Sequence, residues 1–274
     1  SALLHCAQLD ERKEASPVLL AVSVGNSHIT FGVHKDKAWI HRWRIQTVHA
    51  KTSDEYQALL RGLFDAAGVG ASRISSAILS SVVPPLTNTM VETVLQVTGM
   101  QPLLLGPALD LGLRIATENP AEVGADLVAN AVAAYDRFRG NCIVVDFGTA
   151  LTFTAVAAPG ELRGVAIAPG LSSAVNSLAH DTAQLPRVPL APPPAAAGRN
   201  SVHSIQAGIV FGYIGLVEGL IRRLREELGG AAGVVVTGGQ SQIMAPLLAG
   251  PVVHEQWLTL EGLRLVAERN SGRP

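Results

Sequence analysis

The chain has 274 residues, 48% of them apolar and 16% charged, with a formal net charge of -1. That length suits two modest domains or one large one, and the lack of a basic stripe argues against nucleic acid as a partner. No uninterrupted apolar run reaches the roughly 18 residues of a spanning helix, and two cysteines make no disulfide framework, so a cytoplasmic protein without a membrane partner is expected.

Residues 1–17 have too short an apolar part, with Asp10 and Glu11 close behind, for a secretory signal, and are expected to form a flexible extension. From Val18 the pattern is strand, turn, strand through Val33, and Gly25 in the turn lets backbone N–H groups approach an anion. Lys35-Asp36-Lys37 is a second turn, and Trp39 to Thr47 alternates as a third strand. Thr52 caps a helix that runs to about Ala67, where Gly68 and Gly70 stop it. Ile74 to Val83, ending at Pro84-Pro85, is predicted as a parallel strand with a loop at its carboxyl end, where ligands gather in open α/β sheets. Thr87 to Thr98 is predicted helical, Leu103 to Leu105 a short buried strand, and Leu109 to Thr117 a mixed segment ending in a strand. Pro120 turns Asn119 away from helix and feeds a helix from about Ala125 to Phe138. Asp126 falls in the first turn of that helix. There it either complements the helix dipole or stands at the mouth of a cleft as acceptor of an alcohol proton.

The densest chemistry lies in Cys142 to Val156, read as strand, tight turn and returning strand. Asp146 sits at the tip of the first strand. An unpaired carboxylate is costly to desolvate there, and a cation, or a phosphate held through a cation, offsets that cost. Gly148 opens the backbone to an anion, and Thr149 and Thr152 add hydroxyls. Taken alone, a hairpin with an exposed turn Asp explains the stretch equally well. Laying Leu20–Val33 over Ile143–Val156 puts Gly25 on Gly148, Asn26 on Thr149 and Val22 on Val145. This points to a duplicated fold with a phosphate loop from each half. Ser23 breaks the symmetry, standing where the second copy has Asp146.

Leu162 to Ile167 is another strand, and Ala168-Pro169-Gly170 turns into a helix of about Leu171 to Asp181. Leu185 to Ala197 is an extended connector rich in proline and alanine. Ser201 to Leu228 is a long apolar helix. Gly208, Gly212 and Gly215 weaken it and make sense if the sheet or a second subunit packs close. Gly233 to Thr237 is a strand that runs into Gly238-Gly239, a turn against which a base or phosphate can lie, and Leu258 to Asn270 is the closing helix. The eight histidines show no metal-site spacing.

These strings resemble the type III pantothenate kinases, members of the actin-like ATPase superfamily. Val22–Ser27 is similar to the family's Asp-x-Gly-Asn-Thr motif. Ser81–Pro84, Asn119–Asp126, Val145–Thr149, Ala166–Gly170, Thr182–Pro186, Ser204–Gln206, Thr237–Gly239 and Leu258–Gly262 follow in family order. The resemblance implies an α/β protein of two ribonuclease H-like lobes, residues 18–138 and 139–274, with a central cleft. It also implies a homodimer whose active site is shared with the neighbour. It implies that ATP and Mg²⁺ bind at Ser23, Gly25, Asn26, Ser27, Gly148, Thr149, Gly238 and Gly239, with a monovalent cation, K⁺ or NH₄⁺, at Asp146. Pantothenate would lie against Thr117, Gly124, Asp126, Leu127 and Ser201, with Asp126 as base.

Three positions depart from the family pattern. Its first Asp is Ser23, the Arg after its catalytic Asp is Leu127, and its Tyr before Asn-Pro is Thr117. Smaller changes are Thr to Ser at Ser27 and Ser201, and Lys to Gln at Gln184. Leu127 can neither pair with a carboxylate nor donate a hydrogen bond. The losses fall on groups that would touch metal or substrate. The resulting expectation is a protein inactive or strongly impaired in pantothenate phosphorylation, the first step of coenzyme A biosynthesis. The alternatives are an active divergent kinase that uses Asp126, or a kinase for another small alcohol.

Overall fold

The computed structural model describes residues 17–181 and 185–271. Residues 1–16 of the expected extension, Cys6 among them, and Gln184 lie outside these. Strands β1 (Leu19–Val24), β2 (His28–Lys35) and β3 (Ala38–Gln46) form an antiparallel meander. Its second turn closes on Asp36 and Lys37, both left-handed at φ 50° and 63°, the hand that matches strand twist. Helix α1 (Ser53–Ala67) begins in a capping box of Thr52 and Glu55 and ends at Gly68, φ 66°. Strand β4 (Ser76–Ser81) lies parallel to β1.

Two expectations need correction here. Helix α2 spans Pro84–Thr98, so the prolines open the helix instead of extending a loop. Proline fits the first turn because the N–H it lacks has no helical partner there. Strand β5 (Leu103–Leu104) pairs with β4 but is the sheet edge, and its leucines are 37% and 49% exposed; Leu105 alone is buried.

Strand β6 (Arg114–Ile115) leads to α3 (Ala125–Phe138). The second sheet contains β7 (Cys142–Phe147), β8 (Ala150–Ala157), β9 (Glu161–Pro169), β10 (Gly233–Thr237) and β11 (Val253–His254). Helices α4 (Leu171–Asp181), α5 (Ser201–Glu227), α6 (Ser241–Met244) and α7 (Leu258–Arg269) complete the chain. The first sheet runs β3-β2-β1-β4-β5, and the second runs β9-β8-β7-β10-β11, with β6 added beyond β9. The same order with the same strand directions makes the duplication a structural fact. The ungapped sequence overlay holds along β1 and β7 and then slips by one. Ser23 faces Thr30, but Asp146 faces Thr152, because the first turn is one residue longer.

Three layers of apolar side chains hold the frame. Helices α1 and α2 cover one face of the first sheet through Tyr56, Leu60, Phe64, Leu86 and Met90. Helices α4 and α5 cover one face of the second through Leu171, Val210 and Val217 against Val145, Phe147 and Phe153. Helices α3 and α7 fill the space between the sheets. Val128, Ala129, Leu260 and Leu263 pack on Leu19, Ala21 and Ile78, while Ala131, Ala133 and Ala134 pack on Cys142, Val144 and Val156. Their crossing is so close that a Cβ at Gly262 would lie 1.8 Å from the Ala129 carbonyl oxygen. Burial pushes the Cys142 thiol up to about 12, so it acts as a small apolar core residue.

The long helix α5 settles one of its two explanations. A Cβ at Gly208, Gly212, Gly215 or Gly219 would meet nothing within 4 Å. The sheet therefore does not require these glycines. By length and composition alone α5 is apolar enough to span a bilayer, yet Ile205, Ile209, Val210, Val217 and Ile221 belong to the core under the second sheet.

Candidate active site

The site begins with strand alternation. Leu19 and Ala21 face the space between the sheets, so Ser23, at the tip of β1, faces it too. Strand pairing sets Ser80 on one side of Ser23 and Thr30 on the other, and Arg44 lies opposite Thr30. A row of three hydroxyls ending in a guanidinium thus crosses the cleft face of the first sheet. Ser80 is 1% exposed, and its Oγ has no hydrogen-bond partner. Ser23, Thr30 and Arg44 share a cavity of about 70 Å³ with Asp146, Thr237 and Gly238 of the second sheet.

Asp146 is the next-to-last residue of β7, flanked in register by Thr237 and Thr152. The Asn130 amide donates to its Oδ2 at 3.1 Å, and Thr259 Oγ1 donates to Asn130 Oδ1 at 2.8 Å. Asn130 is fully buried, so α3 and α7 fix the carboxylate through one amide. Burial, reinforced by the Asp126 charge, pushes the Asp146 carboxyl up to about 7, against the Asn130 hydrogen bond and the Arg44 charge. Its Oδ1 lies 2.4 Å from where a Cβ of Gly238 would stand, and Gly238 has φ 97°. Only glycine meets both demands.

Asp126 occupies the first turn of α3, half-buried. The Leu127 N–H donates to its Oδ1 at 2.8 Å, and a Cβ at Gly124 would lie 2.7 Å from the same oxygen. Burial raises its carboxyl above the usual range, opposed by the backbone N–H groups of Leu127 and Asp126 itself. The Asp126 charge acts on Asp146, which Asn130 of the same helix already holds.

The paired turns meet. Gly25 N–H donates to the His28 carbonyl at 3.0 Å, and Thr47 Oγ1 donates to the Gly25 carbonyl at 2.6 Å. Asn26 and Ser27 are exposed at the tip. Ser27 Oγ lies 2.7 Å from Thr149 Oγ1, so hydroxyls from the two repeats touch. Gly148 would bring a Cβ within 3.3 Å of both the Ala150 carbonyl and Asp146 Oδ1. Gly239 is exposed, and a Cβ there would be 3.8 Å from an Arg44 guanidinium nitrogen.

Not every expected residue joins this cleft. Leu127 is buried instead of lining an open surface. Thr117 is half-buried, and its Oγ1 is buried without a partner. Ser201 starts α5 after the Asn200 cap and lines a separate hollow of about 390 Å³ with Leu178, Ser204 and Gly208. The structure also adds residues that the motifs do not mark, Arg44, Asn130 and Trp257, and brings in Thr237 and Thr259 from two of the motifs. Arg44 and Arg42 lie 5.1 and 5.4 Å from the Trp257 ring centre, which sets the aromatic that precedes α7 against two cations of β3. The register of β2 and β3, invisible in the sequence, is what brings Arg44 into line with Ser23.

A sequence model described as type III pantothenate kinase matches residues 19–223. The type III pantothenate kinase of Anaeromyxobacter sp. (strain K) is 45% identical over 253 residues, covering 92% of this chain and 100% of that protein. The Geobacter sulfurreducens protein of the same description is 44% identical over 253 residues, 92% of this chain and 99% of its own length. That of Moorella thermoacetica is 45% identical over 254 residues, with 93% and 100% coverage. Solved structures show the fold at much lower identity. The ethanolamine utilization protein EutJ of Carboxydothermus hydrogenoformans aligns with a TM-score of 0.50 at 14% identity, covering 91% of this chain and 90% of that one. Component A of (R)-2-hydroxyglutaryl-CoA dehydratase from Acidaminococcus fermentans gives 0.50 at 12% identity, with 92% and 96% coverage. The duplicated sheets are those of the actin-like ATPase fold, and with this order of motifs the chain belongs to the type III pantothenate kinase family.

Proposed function

We propose that this chain keeps the cleft of a type III pantothenate kinase but has lost, or nearly lost, ATP-dependent phosphorylation of pantothenate. The observation that carries this reading is the hydroxyl row at the tip of β1, where Ser23 stands among Thr30, Ser80 and Arg44 with no carboxylate from the first sheet. Phosphoryl transfer depends on positioning and charge neutralisation, commonly through a divalent cation on carboxylates. Neutral hydroxyls facing a guanidinium are a poor donor set for Mg²⁺. The buried Leu127 adds a second deficit, since it offers no charge-assisted contact to a substrate carboxylate. Two such losses, at about 2–5 kcal/mol each, remove several decades of rate.

Asp146, with one oxygen held by Asn130, has the carboxylate a monovalent cation such as K⁺ or NH₄⁺ calls for. The glycine turns at Gly25, Gly148 and Gly238-Gly239 would hold a nucleotide's phosphates. The open glycine face of α5 suits a second copy of the chain as a homodimer, whose neighbour would complete the surface around Ser201 and Thr117. The test is ADP release with ATP, Mg²⁺, pantothenate and K⁺. The unmodified protein should run far below the common enzyme range, and Ser23→Asp with Leu127→Arg should recover measurable turnover. Turnover near ~1 s⁻¹ or faster by the unmodified protein ends this reading.

A second reading is favoured by Asp126, which sits at the α3 N-terminus with its carboxyl raised by burial, the condition of a general base. On it the chain phosphorylates an alcohol that lacks a carboxylate, for which apolar Leu127 is no loss. Phosphorylation of members of a panel of uncharged alcohols, and not of pantothenate, would mark that outcome.

A further inference from the structure

The cleft face carries a cation without an ion pair. Among the described residues, Arg44 has no carboxylate within salt-bridge distance and rests on the Trp257 ring. Arg44 also forms the shared wall of two hollows. One is the 70 Å³ cavity with Ser23, Thr30 and Thr237; the other is an open hollow of about 620 Å³ lined by Asn26, Ser27, His28 and Thr47. The smaller has room for about two waters' volume, comparable to one phosphoryl group. The larger is of ligand-site size.

The donor set does not fit a divalent cation on this side of the cleft. Nucleotide-bound Mg²⁺ commonly takes one or two protein carboxylates beside the phosphates, and the first sheet supplies none to this cavity, whose one carboxylate is Asp146 of β7. The two carboxylates present, Asp126 and Asp146, belong to α3 and β7, and the hydroxyl row offers no charge to pair with Mg²⁺. It offers hydrogen-bond donors and a planar cation, which is the chemistry of direct oxyanion recognition. Asp146 opposes an anion in the same cavity. The Asn130 hydrogen bond and the Arg44 charge offset that opposition, and the anion would lie on the Arg44 side, next to Gly239.

We propose that this cleft binds the polyphosphate arm of a nucleoside triphosphate directly on Arg44 and the Ser23 and Thr30 hydroxyls, with no divalent cation between. Ser23, on this account, changes the means of charge neutralisation and leaves nucleotide binding intact. The inference rests on the cleft being the nucleotide site, but it is read by binding and not by turnover, so loss of kinase activity neither supports nor sinks it.

The test is calorimetric titration of the full chain with ATP in EDTA and in excess Mg²⁺. Affinity in EDTA should lie within about threefold of that in Mg²⁺. Arg44→Gln should weaken binding in EDTA at least tenfold, and Arg44→Lys, which keeps the charge without the fork, should fall between. Ser23→Asp should reverse the preference, binding well only with Mg²⁺, and it keeps the proposal testable if the Arg44 variants fail to fold. Unmodified protein that binds ATP only with Mg²⁺, that binds in neither buffer, or that binds equally after Arg44→Gln overturns the proposal.

Discussion

Asp146→Asn should make the protein more stable near neutral pH, with the advantage fading in acid. The carboxyl is raised from 3.8 to about 7, chiefly by burial and next by Asp126. Between about pH 4 and pH 7 the folded protein therefore holds a proton that the unfolded chain has released. Raising the pH through that window destabilises the native state. A shift of about three units corresponds to roughly 4 kcal/mol at most, and relaxation around the carboxylate reduces this to about half as an order of magnitude. The amide put in its place would keep an acceptor for Asn130 and carry no charge. At pH 8 the variant should melt roughly 4–8 °C higher, from the ~2–4 °C per kcal/mol expected at this size, and near pH 4 the gain should vanish. Asp126→Asn, which removes the second cause, should move the midpoint of the wild-type pH–stability curve downward. The assay is thermal melting from pH 4 to 8 in ligand-free, low-salt buffer. An Asp146→Asn melt no higher than wild type at pH 8, or a difference between the two that does not grow from pH 4 to 8, would refute the reasoning; His28 and His34, both lowered in pKa, tilt the two profiles alike and cancel in that difference.

Asn130→Ala removes a fully buried amide that serves both Asp146 and Thr259, and should cost about 2–3 kcal/mol, read as a lower denaturant midpoint. Gly262→Ala drives a methyl into the Ala129 carbonyl at the α3–α7 crossing. A loss of about 3 kcal/mol or failure to accumulate soluble protein is expected, and wild-type stability would contradict the helix spacing. Gly212→Ala meets nothing within its own chain, so it should raise single-chain stability by up to about 1 kcal/mol. If the α5 face joins two copies, Gly212→Leu should instead shift sedimentation toward monomer, and an unchanged sedimentation profile argues against that interface.

Much of the frame is legible because its signals are local. The β-branched runs ending at Gly25 and Gly148 mark both hairpins, Thr52 and Gly68 bracket α1, and the repeat of the hairpins anticipates the matching strand orders. What is not legible depends on partners. A proline pair reads as a stop, yet Pro84 begins a helix, since the distinction lies in which turn it occupies. Leu103 and Leu104 are apolar but terminate a sheet, so they stay exposed. The site is half legible. Asp146, Gly238 and the two turns converge as the motifs suggest, whereas Arg44 and Asn130 enter through strand register and helix crossing, which no local pattern encodes. Ser201 opens onto another surface, beside Ser204 and Gly208 of its own helix.

The hydroxyl contact between Ser27 and Thr149 joins the tips of the two turns. One of the pair spends its hydrogen on the other, so an anion arriving between the repeats finds a single free hydroxyl donor there until that bond is exchanged for one to the newcomer.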